Sequence, residues 1–144
     1  MTSDAAEPSH FDLMGGEPGI RALVDRFYDL MDTAPEAMHV RALHATSLKS
    51  SREKLCLYLM GWTGGPPTYV ERYGHPRLRQ RHMPFAIGTR ERDEWLWCMQ
   101  RALDARDLPA SFRQALWLRL MQLADFMRNQ DEDANPHSLP TQVS

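Results

Sequence analysis

The chain has 144 residues, 42% of them hydrophobic, which is enough for one core but not for two. A net charge of −2 with no basic block argues against a nucleic-acid partner. Two isolated cysteines, Cys56 and Cys98, exclude a disulfide framework or a four-cysteine zinc site, and read as buried thiols of a protein in a reducing cytoplasm.

In chain order, residues 1–12 are polar and acidic, lack the apolar run of a secretory signal, and are expected to be disordered. Gly15-Gly16-Glu17-Pro18 marks a break and a helix start. Ile20, Leu23, Val24, Phe27 and Met31 then repeat at helical spacing, with Tyr28 one step round from Phe27 at the edge of the stripe. Ser50-Ser51-Arg52-Glu53 fits a capping box, followed by one face made of Leu55, Tyr58, Leu59 and Trp62. Gly64-Gly65-Pro66-Pro67 ends that helix. Residues 68–75 are expected to form a loop, and Arg77 to His82 a short turn of helix.

Glu91 to about Ala105 carries Trp95, Cys98, Met99 and Ala102 on one side. A last helix from about Pro109 to Asn129 is expected to bury Phe112, Leu116, Leu120, Leu123 and Met127. The tail 131–144, rich in Asp, Pro and Ser, offers nothing to bury and is expected to be disordered. One domain over residues 13–130 remains. No segment alternates as a strand does, so the fold class is all-α, and no apolar run approaches the ~18 residues of a membrane helix.

The most informative stretch is Arg81-His82-Met83-Pro84-Phe85-Ala86-Ile87-Gly88, with Trp95 thirteen residues after His82. Leu78 shares the face of His82, and Pro84 stops the segment at once. A histidine held rigidly in an apolar setting suits an axial haem ligand. His75, between Gly74 and Pro76, is the competing histidine and reads as one that satisfies backbone groups in its loop. Tyr28 is freed to face a cavity because Phe27 already fills the core stripe. Trp95 has an indole N–H that needs an acceptor. Trp62, Trp97 and Trp117 read as packing residues.

The chain resembles the truncated haemoglobins of group II. The resemblance rests on Arg26-Phe27-Tyr28, Gly64-Gly65-Pro66-Pro67-Thr68-Tyr69, Gly74-His75-Pro76-Arg77-Leu78-Arg79, Arg81 to Ile87, and Arg92-Asp93-Glu94-Trp95-Leu96-Trp97-Cys98-Met99. It runs from about Leu13 to Arg128. It implies a two-over-two helical sandwich around one b-type haem, with His82 as proximal iron ligand. It further implies Tyr28 and Trp95 as distal residues, His44 at the other polar distal position, Ser51 at the usual gate position, and Leu55 as the bulky residue above the haem. Trp97 stands where the family commonly has arginine. Leu78, Phe85, Ile87 and Met99 complete the expected haem contacts. Lys54, Tyr69 and Arg81 are candidates for binding the anionic propionates.

The function implied is binding of O₂, NO, CO or another small ligand beneath a polar Tyr/Trp/His pocket. Slow O₂ release favours redox chemistry, either NO oxidation or reaction with peroxide, over O₂ delivery. Such chemistry calls for a reductase that the sequence does not identify. Two alternatives stay open: a gas or redox sensor acting through a separate partner protein, and a haem-free helical interaction module. The sequence leaves the oligomeric state undetermined.

Overall fold

A computed structural model describes residues 8–130; the expected disorder of residues 1–7 and 131–144 lies outside the described residues. Eight α-helices follow in order: α1 (His10–Leu13), α2 (Gly16–Thr33), α3 (Met38–Ala42), α4 (Lys49–Trp62), α5 (Thr68–Tyr73), α6 (Leu78–His82), α7 (Thr89–Asp104) and α8 (Ala110–Phe126). A 3₁₀ turn, Pro35–Ala37, leads into α3. The described residues contain no strand.

The apolar stripe of α2 is what organises the fold. Ile20, Leu23, Val24, Phe27 and Met31 are all buried, as their spacing predicts. α2 packs on both α4 and α7, and α7 packs in turn on α8. Cys98, Met99, Ala102 and Leu103 of α7 meet Phe112, Leu116 and Leu120 of α8 in the same core. Leu123 and Met127, expected in that core, are only half-buried.

Residues 9–12 correct the expectation of N-terminal disorder. Ser9 Oγ accepts from the Asp12 amide at 3.1 Å and caps α1. The Phe11 amide donates to Thr63 O at 2.9 Å. The Phe11 ring lies on Gly65, where a Cβ would come within 2.4 Å of it, so only glycine admits the contact. Gly19 plays a similar part in α2: a Cβ there would lie 1.9 Å from Met14 O. Arg106 closes this junction by donating to Gly19 O and, at 2.8 Å, to Met14 O.

Two further expectations are revised. Residues 68–73 form α5 rather than a loop, because Pro67 O accepts the Glu71 amide at 3.1 Å and starts a helical turn. Gly74, at φ 79°, ends it. The capping box at Ser50 does not form. α4 begins at Lys49 with Leu48 at its N-cap, which places Ser50 and Ser51 inside the first turn.

Both cysteines are buried and free, as expected, and burial pushes the Cys98 thiol up to about 12. No helix among the described residues is long and apolar enough to cross a membrane.

Candidate functional site

The described residues enclose a cavity of about 770 Å³, within the size range of cofactor sites. Its wall is mostly apolar: Val40 and Leu43, Leu55, Leu78, Phe85 and Ile87, and Leu123 and Met127. The polar groups arrive from different elements. Tyr28 comes from α2, His44 from the segment after α3, Ser51, Lys54 and Tyr58 from α4, Tyr69 from α5, Arg81 and His82 from α6, and Trp95 from α7.

α6 is only five residues long, yet His82 is held at both its ring and its backbone. Its Nδ1 lies 2.7 Å from Leu78 O. A carbonyl can only accept, so Nδ1 carries the proton and Nε2 keeps its lone pair, the form in which imidazole binds metals. Arg77, which precedes the helix, sits at φ 48°, a left-handed conformation that costs a non-glycine residue about 1–2 kcal/mol. Its amide donates to His75 Nδ1 at 3.1 Å, so His75 serves the backbone of its loop, as the sequence suggests.

The second support was not legible in the sequence. Asn129 Nδ2 donates to His82 O at 3.0 Å and to Phe85 O at 2.8 Å, while its Oδ1 accepts the Ile87 amide at 2.9 Å. Its own amide donates to Ile87 O. The segment after α8 thereby staples the His82–Ile87 segment. α8 stops at Phe126, three residues before the expected end, which leaves Asn129 free of helical geometry.

On the other polar side, the Tyr28 ring meets Phe27 edge-on at 4.8 Å and His44 at 5.8 Å between centroids. Burial pushes the Tyr28 phenol well up, against the opposing influence of the nearby Arg52 guanidinium and a hydrogen bond with Ser51. It is therefore a neutral O–H. His44 Nδ1 lies 2.9 Å from Val40 O, so this nitrogen also carries a proton. Burial lowers the His44 pKa, aided by Arg41 and His82 and opposed by the Val40 bond. Trp95 packs edge-on against Phe27 at 5.1 Å. Its indole N–H makes no hydrogen bond to another described residue.

Glu94, beside Trp95, is the second residue that sequence reasoning missed. Its carboxylate accepts the amides of His39 and Val40 at 2.9 and 2.8 Å and lies 2.7 Å from His39 Nδ1. It caps α3 from across the fold and so anchors the segment that carries His44. Glu91 does a local job. It accepts the Gly88 amide at 3.0 Å and starts α7. Burial would raise its pKa, but the Gly88 amide and Arg90 outweigh this and hold it low.

Of the expected haem contacts, Lys54, Leu55, Tyr69, Leu78, Arg81, His82, Phe85 and Ile87 line the cavity. Met99 does not. It is fully buried between helices, one turn beyond Trp95 and deeper in the core. Helical spacing puts Trp95 and Met99 on one stripe and cannot say where cavity gives way to core. Arg81 donates to Tyr69 Oη at 3.2 Å, so the two candidate propionate donors stand together.

The bacterial-like globin family model matches residues 9–129. The group II two-on-two haemoglobin of Agrobacterium tumefaciens superposes with a TM-score of 0.85 and 45% identity, covering 92% of this chain and all of that one. The cold-adapted truncated haemoglobin of Pseudoalteromonas haloplanktis TAC125 gives 0.83 and 39%, covering 85% and 99%. The group 2 truncated haemoglobin YjbI of Bacillus subtilis (strain 168) is 38% identical over 117 residues, 81% of this chain and 86% of that protein. The chain belongs to the bacterial-like globins, and within them to the group II, two-over-two truncated haemoglobins.

It is thus a haem protein for small gaseous ligands. The cavity fits that group. His82 offers its Nε2 lone pair to an iron from a short helix at the cavity wall, as an axial ligand requires. The apolar wall suits the macrocycle itself, while Lys54, Tyr69 and Arg81 suit its carboxylates.

Proposed function

We propose that the chain holds a b-type haem through His82 Nε2 and retains a diatomic ligand beneath Tyr28, Trp95 and His44, for redox chemistry rather than delivery of O₂. The haem iron supplies reversible gas binding and electron transfer. The observation that carries the reading is that Tyr28, Trp95 and His44, the first two neutral O–H and N–H donors, line the same cavity as His82, whose Nε2 keeps its lone pair.

The protein's part is to position and to donate. Leu78 O orients the His82 ring and fixes its tautomer by accepting from Nδ1. Lys54, Tyr69 and Arg81 would hold the propionates of the haem. The apolar wall excludes water, which strengthens every remaining hydrogen bond. The Trp95 N–H and the Tyr28 O–H would donate hydrogen bonds to a diatomic ligand held in the cavity. Each well-placed bond contributes about 1–2 kcal/mol, or roughly 5–30-fold in dissociation rate. Two such bonds give a residence time suited to reaction with a second molecule. NO or peroxide is that second reactant in this proposal, and a separate reductase would supply the electrons the reaction calls for.

The test is stopped-flow O₂ dissociation followed by NO addition with nitrate analysis. Slow dissociation and stoichiometric nitrate are expected. Fast release with no nitrate and no reaction with peroxide would return the chain to a carrier role.

A further inference from the structure

Three of the chain's four tyrosines stand in file. Tyr58 of α4 and Tyr69 of α5 both line the cavity, and their rings meet edge-on with centroids 6.0 Å apart. Tyr69 meets Tyr73, one turn further along α5, at 5.0 Å. Exposure rises along α5, from 7% at Tyr69 to 37% at Tyr73. Cations lie beside the last two rings. Arg81 donates to Tyr69 Oη and stands 6.0 Å from its centroid, and Lys54 Nζ stands 5.4 Å from that of Tyr73.

We propose that Tyr58, Tyr69 and Tyr73 form a one-electron relay that carries an oxidising equivalent from peroxide reduced in the haem cavity to Tyr73, where a small phenolic reductant is oxidised at the surface. The proposal rests on the haem reading above. Contacting aromatic rings give a path with no saturated gap between cavity and solvent. A cation beside a ring disfavours a positively charged radical, so oxidation must be accompanied by loss of the phenolic proton. Tyr69 is buried, whereas Tyr73 opens to water that can take the proton. The oxidising equivalent therefore comes to rest at Tyr73. Tyr28, the remaining tyrosine, is buried on another wall and lacks such an exit.

The chemistry balances. Hydrogen peroxide and two phenols give two waters and two phenoxyl radicals: the O–O bond breaks, and each phenol gives up one electron and its O–H proton. A phenolic reductant restores Tyr73 by giving up a hydrogen atom. Without one, Tyr73 radicals of two copies join through a C–C bond, and the two ring hydrogens shift to the oxygens.

The test treats the haem-loaded protein with stoichiometric hydrogen peroxide. Freeze-quench EPR with ring-deuterated tyrosine, dityrosine fluorescence and denaturing gels are read beside the Soret band. Wild type should show a tyrosyl signal and a covalent dimer. Tyr73→Phe should lower the dimer at least tenfold while the Soret band responds at the same rate, since Arg81 bonds only the backbone carbonyl of Tyr73. Tyr69→Phe should lower the Tyr73 radical yield per haem reacted several-fold. An undiminished dimer in Tyr73→Phe, or an unchanged yield in Tyr69→Phe, overturns the relay. A Soret response without a tyrosyl signal overturns the relay alone. A Soret band indifferent to peroxide overturns the relay together with the peroxide arm of the proposed function.

Discussion

Tyr28 and His44 meet edge to face, 5.8 Å between ring centroids, and the Val40 carbonyl dictates which His44 nitrogen is the donor. With Nδ1 committed to Val40 O, neutral His44 has only an acceptor left, at Nε2. In the proposed site that acceptor competes with the ligand for the Tyr28 proton. Protonation of His44 turns Nε2 into a donor and releases the Tyr28 O–H to the ligand.

The first prediction is therefore a pH dependence with a definite sign. Burial, Arg41 and His82 lower the His44 pKa below the ordinary 6.5, against the Val40 bond. O₂ dissociation should be flat above pH 6.5 and should slow several-fold as pH falls below it. His44→Phe should remove the slope. The stability sign follows from the same shift: the unfolded chain binds this proton more tightly, so stability is lost as pH falls through 6.5. His44→Phe should lack that loss. Stopped-flow kinetics and acid unfolding, each run from pH 5 to 8, check both statements.

Trp95→Phe removes an N–H and leaves a ring in the Phe27 contact. O₂ dissociation should rise at least tenfold, more than in Tyr28→Phe, because α7 fixes the indole more firmly than a shared O–H is fixed. The double variant should fall short of the sum of the two effects, since both donors serve one ligand. An unchanged rate in Trp95→Phe would remove it from the distal site.

Asn129→Ala deletes the side-chain bonds to His82 O, Phe85 O and the Ile87 amide. The cost should be about 1–3 kcal/mol, and it should fall on the proximal segment. Haem transfer to apomyoglobin should accelerate several-fold, with the distal O₂ off-rate little changed. Equal haem retention would show that α6 holds His82 without the staple.

Glu94→Ala leaves the His39 and Val40 amides without their acceptor. We expect about 2–3 kcal/mol lost in urea unfolding. The His44-dependent pH profile should broaden or disappear, because the segment that carries His44 loses its anchor. Glu94→Gln keeps one acceptor oxygen and should recover part of the profile.

What the sequence revealed divides by length scale. The long helices α2, α4, α7 and α8 were legible because their apolar stripes repeat over several turns. α1, α3 and α5 are four to six residues long, and the first two are held by distant partners, Thr63 for α1 and Glu94 for α3. No local pattern announces such bonds. His82 stood out through Leu78 and Pro84, and the cavity gathers Tyr28, His44 and Trp95 as expected. Asn129 and Glu94 escaped notice because a polar residue in a polar stretch carries no sign of what it will bond. Met99 was misplaced because helical periodicity gives a face and not a depth.

The central claim is that His82 is the protein's iron ligand, and the most direct measurement is the optical spectrum of ferrous His82→Gly with and without imidazole. The variant should lose most of its haem or its five-coordinate ferrous spectrum, and added imidazole should restore it, filling the space of the missing ring. His75→Ala should match wild type, since His75 Nδ1 serves the Arg77 amide. A wild-type spectrum in His82→Gly, or its loss in His75→Ala alone, would contradict the account.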